Sequence, residues 1–341
     1  MFEAFELSYC KVSIWSNDFA HSATFASPLA SIVKIPQLNE FKSSFNDPVW
    51  KAIAAAICRS SDLKHHTLTR ASGTENIVFF VDDSFVVKIY TPFRNGFARE
   101  RSGLEFAAGR SAIRMPAIEA SGNFEGFDYL VMSQISGACV TRDEWIQTDR
   151  TTTIELVHDL GEGLRELHSV EPTDINFHWD EFIRMQTESV VERQRDSGAT
   201  DEWLASLPTY LDTNLTLLPR DHRTVFMHGD VHFGNLAIVR DGKKLKIAGM
   251  FDLADSLTGF HEYEFVAPGV LMIQGQGELQ REFFRAYGYP EQALDEEFRT
   301  RLMLLTILYE TSGLRRYAER LRPEAVNYTL YELERAIWRF V

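Results

Sequence analysis

The stretch that most restricts what this chain can become is residues 225–252, V-F-M-H-G-D-V-H-F-G-N-L-A-I-V-R-D-G-K-K-L-K-I-A-G-M-F-D. A short apolar run (Val225, Phe226, Met227) gives way to a polar loop carrying His228, Asp230, His232 and Asn235, and alternating segments follow on both sides of Asp241-Gly242. Asp-Gly between two such segments is a strong hairpin signal, because the tight turn needs positive φ at its central positions. If residues 236–240 pair with 244–250, the open ends of the hairpin lie side by side. That pairing predicts Asn235 and Asp252 as neighbours.

A carboxylate and an amide oxygen converging in this way form the kind of hard-oxygen pair that suits Mg²⁺, which keeps few protein ligands and shares the rest with phosphates. Asp230, five residues before Asn235, is expected to point into the same space as an unliganded carboxylate. An Asp, an Asn five residues on and a later metal-binding Asp is the order found in protein kinases. His228-Gly229-Asp230-Val231-His232-Phe233-Gly234-Asn235, followed by Met250-Phe251-Asp252-Leu253-Ala254-Asp255, resembles the aminoglycoside phosphotransferase and choline kinase-like family of small-molecule kinases. Members often read H-G-D-x-H-x-x-N and then I-D-F-x-D. The chain departs from that pattern at Phe233, where Pro is common, at Leu253, where an aromatic is common, and at Glu264, where the family's G-x-x-x-Y-D-L has Asp.

The resemblance implies an α+β, protein kinase-like two-lobed fold, with a small antiparallel-sheet N-lobe and a mostly helical C-lobe. It implies ATP and Mg²⁺ in the cleft and transfer of the γ-phosphate to a hydroxyl of a small molecule, an aminoglycoside or other amino sugar being the leading acceptor. Asp230 would act on the acceptor hydroxyl, and Asn235 and Asp252 would hold the metal. Glu264 would brace the catalytic loop, and Asp255 would support the metal site from behind. Two alternatives stay open: a kinase of the same fold for choline, a neutral sugar or a protein hydroxyl, and a nucleotide-binding protein without turnover.

Upstream, Phe85-Val86-Val87-Lys88-Ile89-Tyr90 places one Lys inside an apolar strand. A buried ammonium without a partner is costly, so Lys88 wants a carboxylate or a phosphate beside it. It resembles the kinase lysine that holds the nucleotide phosphates, and its partner is expected from the helix over residues 95–109. Phe97-Ala98-Arg99-Glu100-Arg101 resembles the family's R-E segment there, which favours Glu100, with Glu105 as the other candidate. Gly96, Gly103 and Gly109 lower that helix's propensity. Ser72-Gly73-Thr74-Glu75-Asn76 is a small-residue turn whose backbone could close over phosphates, and the family's G-x-x-N at this place adds Gly73 and Asn76. Strands are read at 76–81, 84–90, 115–118 and 127–132. The family runs the last of these into its interlobe linker, which puts Gln134 against adenine.

The expected organisation is an N-terminal extension and helix over residues 1–60 packed on the N-lobe, a nucleotide-binding N-lobe at 61–135, and a helical C-lobe at 136–341. Asp47-Pro48 reads as a helix start. Apolar spacing predicts helices at 151–168, 180–196 and 202–217, and three or four more follow residue 265. His168 reads as a structural histidine. With 35 basic against 49 acidic residues, the net charge of −14 disfavours nucleic acid or an anionic membrane as the main partner and suits a cationic acceptor. Glu262, Glu278, Glu282, Asp295, Glu296 and Glu297 are the acids expected on the acceptor side. Three scattered cysteines (Cys10, Cys58, Cys139) form no metal or disulfide framework. With no signal-like start and no apolar span, a cytoplasmic protein is expected.

Overall fold

The computed structural model describes residues 38–340, apart from 65, 73, 111–112, 173–176 and 242–243. Expectations for residues 1–37 and for Gly73 lie outside the described residues. Among the described residues two helices, α1 (Leu38–Ser43) and α2 (Val49–Ser60), come first. The Asp47 carboxylate accepts the Val49 N–H at 2.9 Å, which opens α2 where the sequence suggests. Trp50, Ile53, Ala54 and Ile57 then fall on one buried face.

That face covers a five-stranded antiparallel sheet of order β1-β2-β3-β5-β4. Its strands are β1 (Leu68–Arg70), β2 (Ile77–Val81), β3 (Phe85–Ile89), β4 (Ile118–Phe124) and β5 (Phe127–Ser133). Positive φ at Asp82 and Asp83 (50° and 54°) makes the tight turn between β2 and β3. The strand expected at 115–118 starts only at Ile118. Pro116 has no N–H to give a ladder, whereas Glu125-Gly126, with φ of 50° and 91°, supplies a two-residue hairpin turn for 118–124. Because side chains alternate along a strand, Phe79, Val87, Ile89, Tyr129 and Val131 join the core under α2. Lys88 is thereby sent to the opposite face, on the central strand of the sheet.

Between β3 and β4 runs α3 (Gly96–Ala107). The rest is mainly helical: α4 (Arg142–Gln147), α5 (Arg150–Leu167), α6 (Trp179–Asp196), α7 (Asp201–Asn214), α8 (Val266–Leu271), α9 (Gly277–Tyr287), α10 (Glu296–Leu308), α11 (Leu314–Leu321) and α12 (Leu330–Ile337). Set into this part are β6 (Thr224–Met227), the hairpin β7 (Leu236–Asp241) and β8 (Lys244–Met250), and β9 (Leu257–Phe260). The hairpin has the expected register, Leu236 opposite Met250. Strand β9, which sequence reading passed over, pairs antiparallel with β6 and pins the start of the polar loop. Cys58 and Cys139 are both buried. Among the described residues no helix is long and apolar enough to cross a membrane.

Gly103 explains why α3 tolerates glycine. A Cβ there would come within 2.7 Å of Ser256 Oγ and 3.2 Å of both Leu253 and Phe226. The missing side chain lets the helix press on the segment just after Asp252. Gly103→Val should therefore destabilise the protein by about 1–3 kcal/mol despite leaving the helix more sterically defined; urea unfolding of the two proteins measures it, and an unchanged midpoint would contradict the close approach.

Candidate active site

Lys88 is only 3 % exposed, and its ammonium is held by Glu100 Oε2 at 2.5 Å and Asp252 Oδ1 at 2.8 Å. Glu100, on the buried side of α3, also accepts the Tyr90 hydroxyl at 2.7 Å. Glu105 is not the partner: one turn further on it faces outward and pairs with Arg101 at 3.0 Å. Burial pushes the Glu100 carboxyl up, against the opposing pull of the Lys88 ammonium. Burial also acts on Asp252, but Lys88 and its hydrogen bond hold that carboxyl below the usual range. Asp252 stands in the left-handed region (φ 67°, ψ 67°), a conformation costly for a non-glycine residue. It is sustained because the Phe251 N–H is tied to Asn235 O at 3.1 Å, across the open end of the hairpin.

The polar loop is fixed largely by its own side chains. His228 Nδ1 accepts the Asp230 N–H at 3.3 Å and its Nε2 meets Phe251 O at 3.0 Å, stitching the loop to the Asp252 turn. Asn235 Nδ2 donates to Asp230 O at 2.9 Å and to Asp230 Oδ2 at 3.2 Å. Asn235 Oδ1 is buried with no hydrogen-bond partner. His232 Nε2 lies 3.4 Å from Asp230 Oδ2. Burial works to raise the Asp230 carboxyl, yet its polar neighbours, His232 first, then His228 and the Asn235 amide, hold it low.

Glu264 does what the sequence suggests. Its carboxylate accepts the His228 N–H at 2.6 Å and the Gly229 N–H at 3.0 Å. Gly229 has φ +86° and abuts the Asp255 carbonyl, so no side chain fits there. The Tyr309 hydroxyl, from a segment with no motif linking it to the loop, donates to Gly229 O. His168 is buried, with Nδ1 2.8 Å from the Tyr287 hydroxyl and Nε2 3.6 Å from Glu264. It backs the brace rather than the loop itself.

The remaining sequence candidates have hydrogen-bond or ion-pair partners of their own. Asn76 Oδ1 accepts the Thr91 N–H at 3.0 Å and so ties the turn before β2 to the end of β3. The Gln134 N–H donates to Ser84 O at 2.8 Å, and the residue lines a cavity of about 400 Å³ shared with Gly109, Arg114 and Ala248, whose lining includes no carboxylate residue. The acids expected to face the acceptor have structural partners: Glu262 and Glu297 with Arg301, Glu278 with Arg150, Glu282 with His158 and Arg285, and Glu296 with Arg299. Asp295 caps α10 through the Phe298 N–H. The carboxylate that does join the cluster is Asp255, with Glu310 beyond it.

Asp255 carries a testable consequence. Burial, then the charges of Asp230, Asp252 and Glu310, push its carboxyl up to about 7, with Arg99 pulling the other way. In the unfolded chain it would ionise near the ordinary Asp value of about 3.9. Between those values the folded protein binds the extra proton, so this group's contribution to stability falls as pH rises towards 7. Asp255→Asn should remove that fall: the variant's stability relative to wild type should rise by at most about 1.4 kcal/mol per pH unit between roughly pH 4 and pH 7. Urea denaturation across that range, without nucleotide or metal, measures the difference; parallel pH profiles would refute it.

Comparison with known proteins places this geometry. The chain matches the family described as phosphotransferase enzyme family over residues 67–299. An aminoglycoside 2'-phosphotransferase-IIIa in its GDP complex superposes with a TM-score of 0.62 at 14% identity, covering 87% of this chain and 100% of that one. ADP-bound aminoglycoside phosphotransferase APH(2'')-Ib gives 0.56 at 17% identity, covering 85% and 99%. APH(3'')-Id from Streptomyces rimosus with ADP and streptomycin gives 0.52 at 17% identity, covering 76% and 99%. At these identities the neighbours establish the protein kinase-like fold, and the match across most of the chain's length establishes the family. The chain belongs to the phosphotransferase enzyme family.

Proposed function

We propose that the protein transfers the γ-phosphoryl group of ATP to a hydroxyl of a small molecule, an aminoglycoside or related amino sugar being the leading acceptor. The observation that carries this reading is the gathering of Asp230, Asn235, Asp252 and the Lys88–Glu100 pair around one space, from four separate parts of the chain. The neighbours solved with gentamicin or with streptomycin and ATP support the acceptor class by analogy of fold.

The residues fit a divalent metal. The Lys88 ammonium meets two carboxylates, Glu100 and Asp252, and the charge of Asp230 also bears on Asp252, which leaves negative charge for a cation to offset. Asn235 Oδ1 is buried without a partner. Among the described residues no group of three or more His, Cys, Asp or Glu forms a cage, but an ion shared with phosphates needs only one or two protein ligands. Asn235 and Asp252 would hold it, and bound magnesium would neutralise charge on the β- and γ-phosphates.

In the transfer itself Lys88 turns from Asp252 towards the nucleotide phosphates while Glu100 keeps its ammonium in place. Asp230 accepts the hydroxyl proton as the new O–P bond forms and the bond from the γ-phosphorus to the bridging oxygen breaks, ADP leaving with that electron pair. Because its N–H is already engaged, Gln134 would contribute to adenine binding through its carbonyl or through the linker residues that follow it.

Incubating the full-length protein with ATP, magnesium and a panel of kanamycin, gentamicin, streptomycin, choline and neutral sugars tests the proposal. Acceptor-dependent ADP release and a product carrying one added phosphate are expected; ATP left intact with every acceptor would count against it. Asp230→Asn should slow turnover at least about 100-fold while nucleotide affinity stays within a few-fold, since this carboxylate meets the acceptor; near-normal turnover would take the base away from Asp230. Lys88→Ala and Glu100→Ala should impair the same step, and the double variant should be little worse than Lys88→Ala alone. Additive losses would separate the two residues.

A further inference from the structure

We infer that His232 is a positioning residue: it donates from Nε2 to Asp230 Oδ2 and thereby dedicates Asp230 Oδ1 to the acceptor hydroxyl. The inference rests on the reading of Asp230 as the group that receives the acceptor's proton.

The loop's two histidines share one local device and differ in its use. In each, Nδ1 accepts a backbone N–H two residues on, Asp230 N at 3.3 Å for His228 and Gly234 N at 2.9 Å for His232. A ring nitrogen that accepts carries no proton, so the neutral imidazole must carry its proton on Nε2. His228 places that proton on a backbone carbonyl, Phe251 O at 3.0 Å. His232 has no such carbonyl; its Nε2 faces Asp230 Oδ2 at 3.4 Å. This is a long contact of the kind that tightens when substrates bind.

Asp230 Oδ2 already receives Asn235 Nδ2 at 3.2 Å. Two donors on one oxygen hold the carboxylate plane and leave Oδ1 as the atom free to take a proton. Asn235 alone would not suffice, because its Oδ1 belongs on the metal side and its amide reaches both the main chain and the side chain of Asp230. His232 is buried, 7 % exposed, and packs against Phe233, so its ring has little freedom to turn away. Burying a donor that deeply is favourable only when it has an acceptor, and the Asp230 carboxylate is the acceptor in reach.

Two near-isosteric variants separate this role from a merely structural one. His232→Asn keeps an acceptor at the Nδ1 position for the Gly234 N–H but removes the donor at Nε2. His232→Gln keeps a donor at the Nε2 position but loses the Gly234 contact. Purified full-length variants are assayed for ADP release from ATP and magnesium with kanamycin, gentamicin and streptomycin present together, alongside thermal melting. His232→Asn should melt with wild type yet lose about tenfold in kcat with KM for ATP unchanged, which is the cost of an unheld base. His232→Gln should melt earlier but keep kcat within a few-fold.

His232→Asn turning over like wild type would overturn the inference, as would a His232→Gln variant as slow as His232→Asn. Asp230→Asn, run beside them, keeps the two levels apart. If that variant also turned over normally, the reading of Asp230 itself would fall. If it is inactive while both His232 variants match wild type, only the positioning role is lost.

Discussion

A single buried ammonium holds this fold to its site. Lys88 projects from the middle strand of a five-stranded sheet into a space where water cannot solvate it, and the charge is tolerable only because two carboxylates from distant parts of the chain meet it. Glu100 brings α3 to the sheet, and Asp252 brings the end of the β7–β8 hairpin to both. The pair with Asp252 spans 164 residues of sequence and joins the sheet to the helical part of the molecule. Such an arrangement is weak evidence for net stability, since the desolvation of three charges offsets much of the attraction. Its use is to keep the charges poised with an excess of carboxylate.

The polar loop meets the complementary requirement, that a carboxylate be held still without being neutralised. Glu264 takes the N–H groups of His228 and Gly229 while Tyr309 donates to Gly229 O, so the backbone on the N-terminal side of Asp230 is bound from two directions. His228, His232 and Asn235 then orient the side chain from within the loop itself. The anchors come from β6–β9, the turn after β9 and the end of α10, which makes the loop a rigid piece rather than a flexible connection. Gly229 is needed because the chain turns with positive φ directly against the Asp255 carbonyl.

Charge was the least legible property. The overall excess of acid is plain in the composition, but the acids that look available along the last third of the chain are bound to arginines or cap helices. Asp255, three residues after Asp252, joins the cluster as its motif suggests, but the charge of Glu310 that bears on it comes from just beyond α10, which no local pattern announces. Which acids find a cation and which face one another depends on helix packing that no local pattern encodes.

Periodicity and turn chemistry are local, and whatever follows from them could be read from the sequence: the hairpin register from Asp241-Gly242, the start of α2 at Asp47-Pro48, the inward Lys88, and the loop carrying Asp230 and Asn235. The choice of Glu100 over Glu105 needed the helix to be docked, because a rotation of a few residues about its axis decides which carboxylate reaches Lys88 and which reaches Arg101. Strand β9 was missed because four residues ending in Gly-Phe have no alternation to show; β6 makes them a strand. The Tyr309 contact joins residues 80 apart and leaves no mark in either segment. The chemistry of the site was thus set by residue type and spacing, whereas the partner of each charge was settled only when tertiary packing brought distant segments within hydrogen-bonding distance.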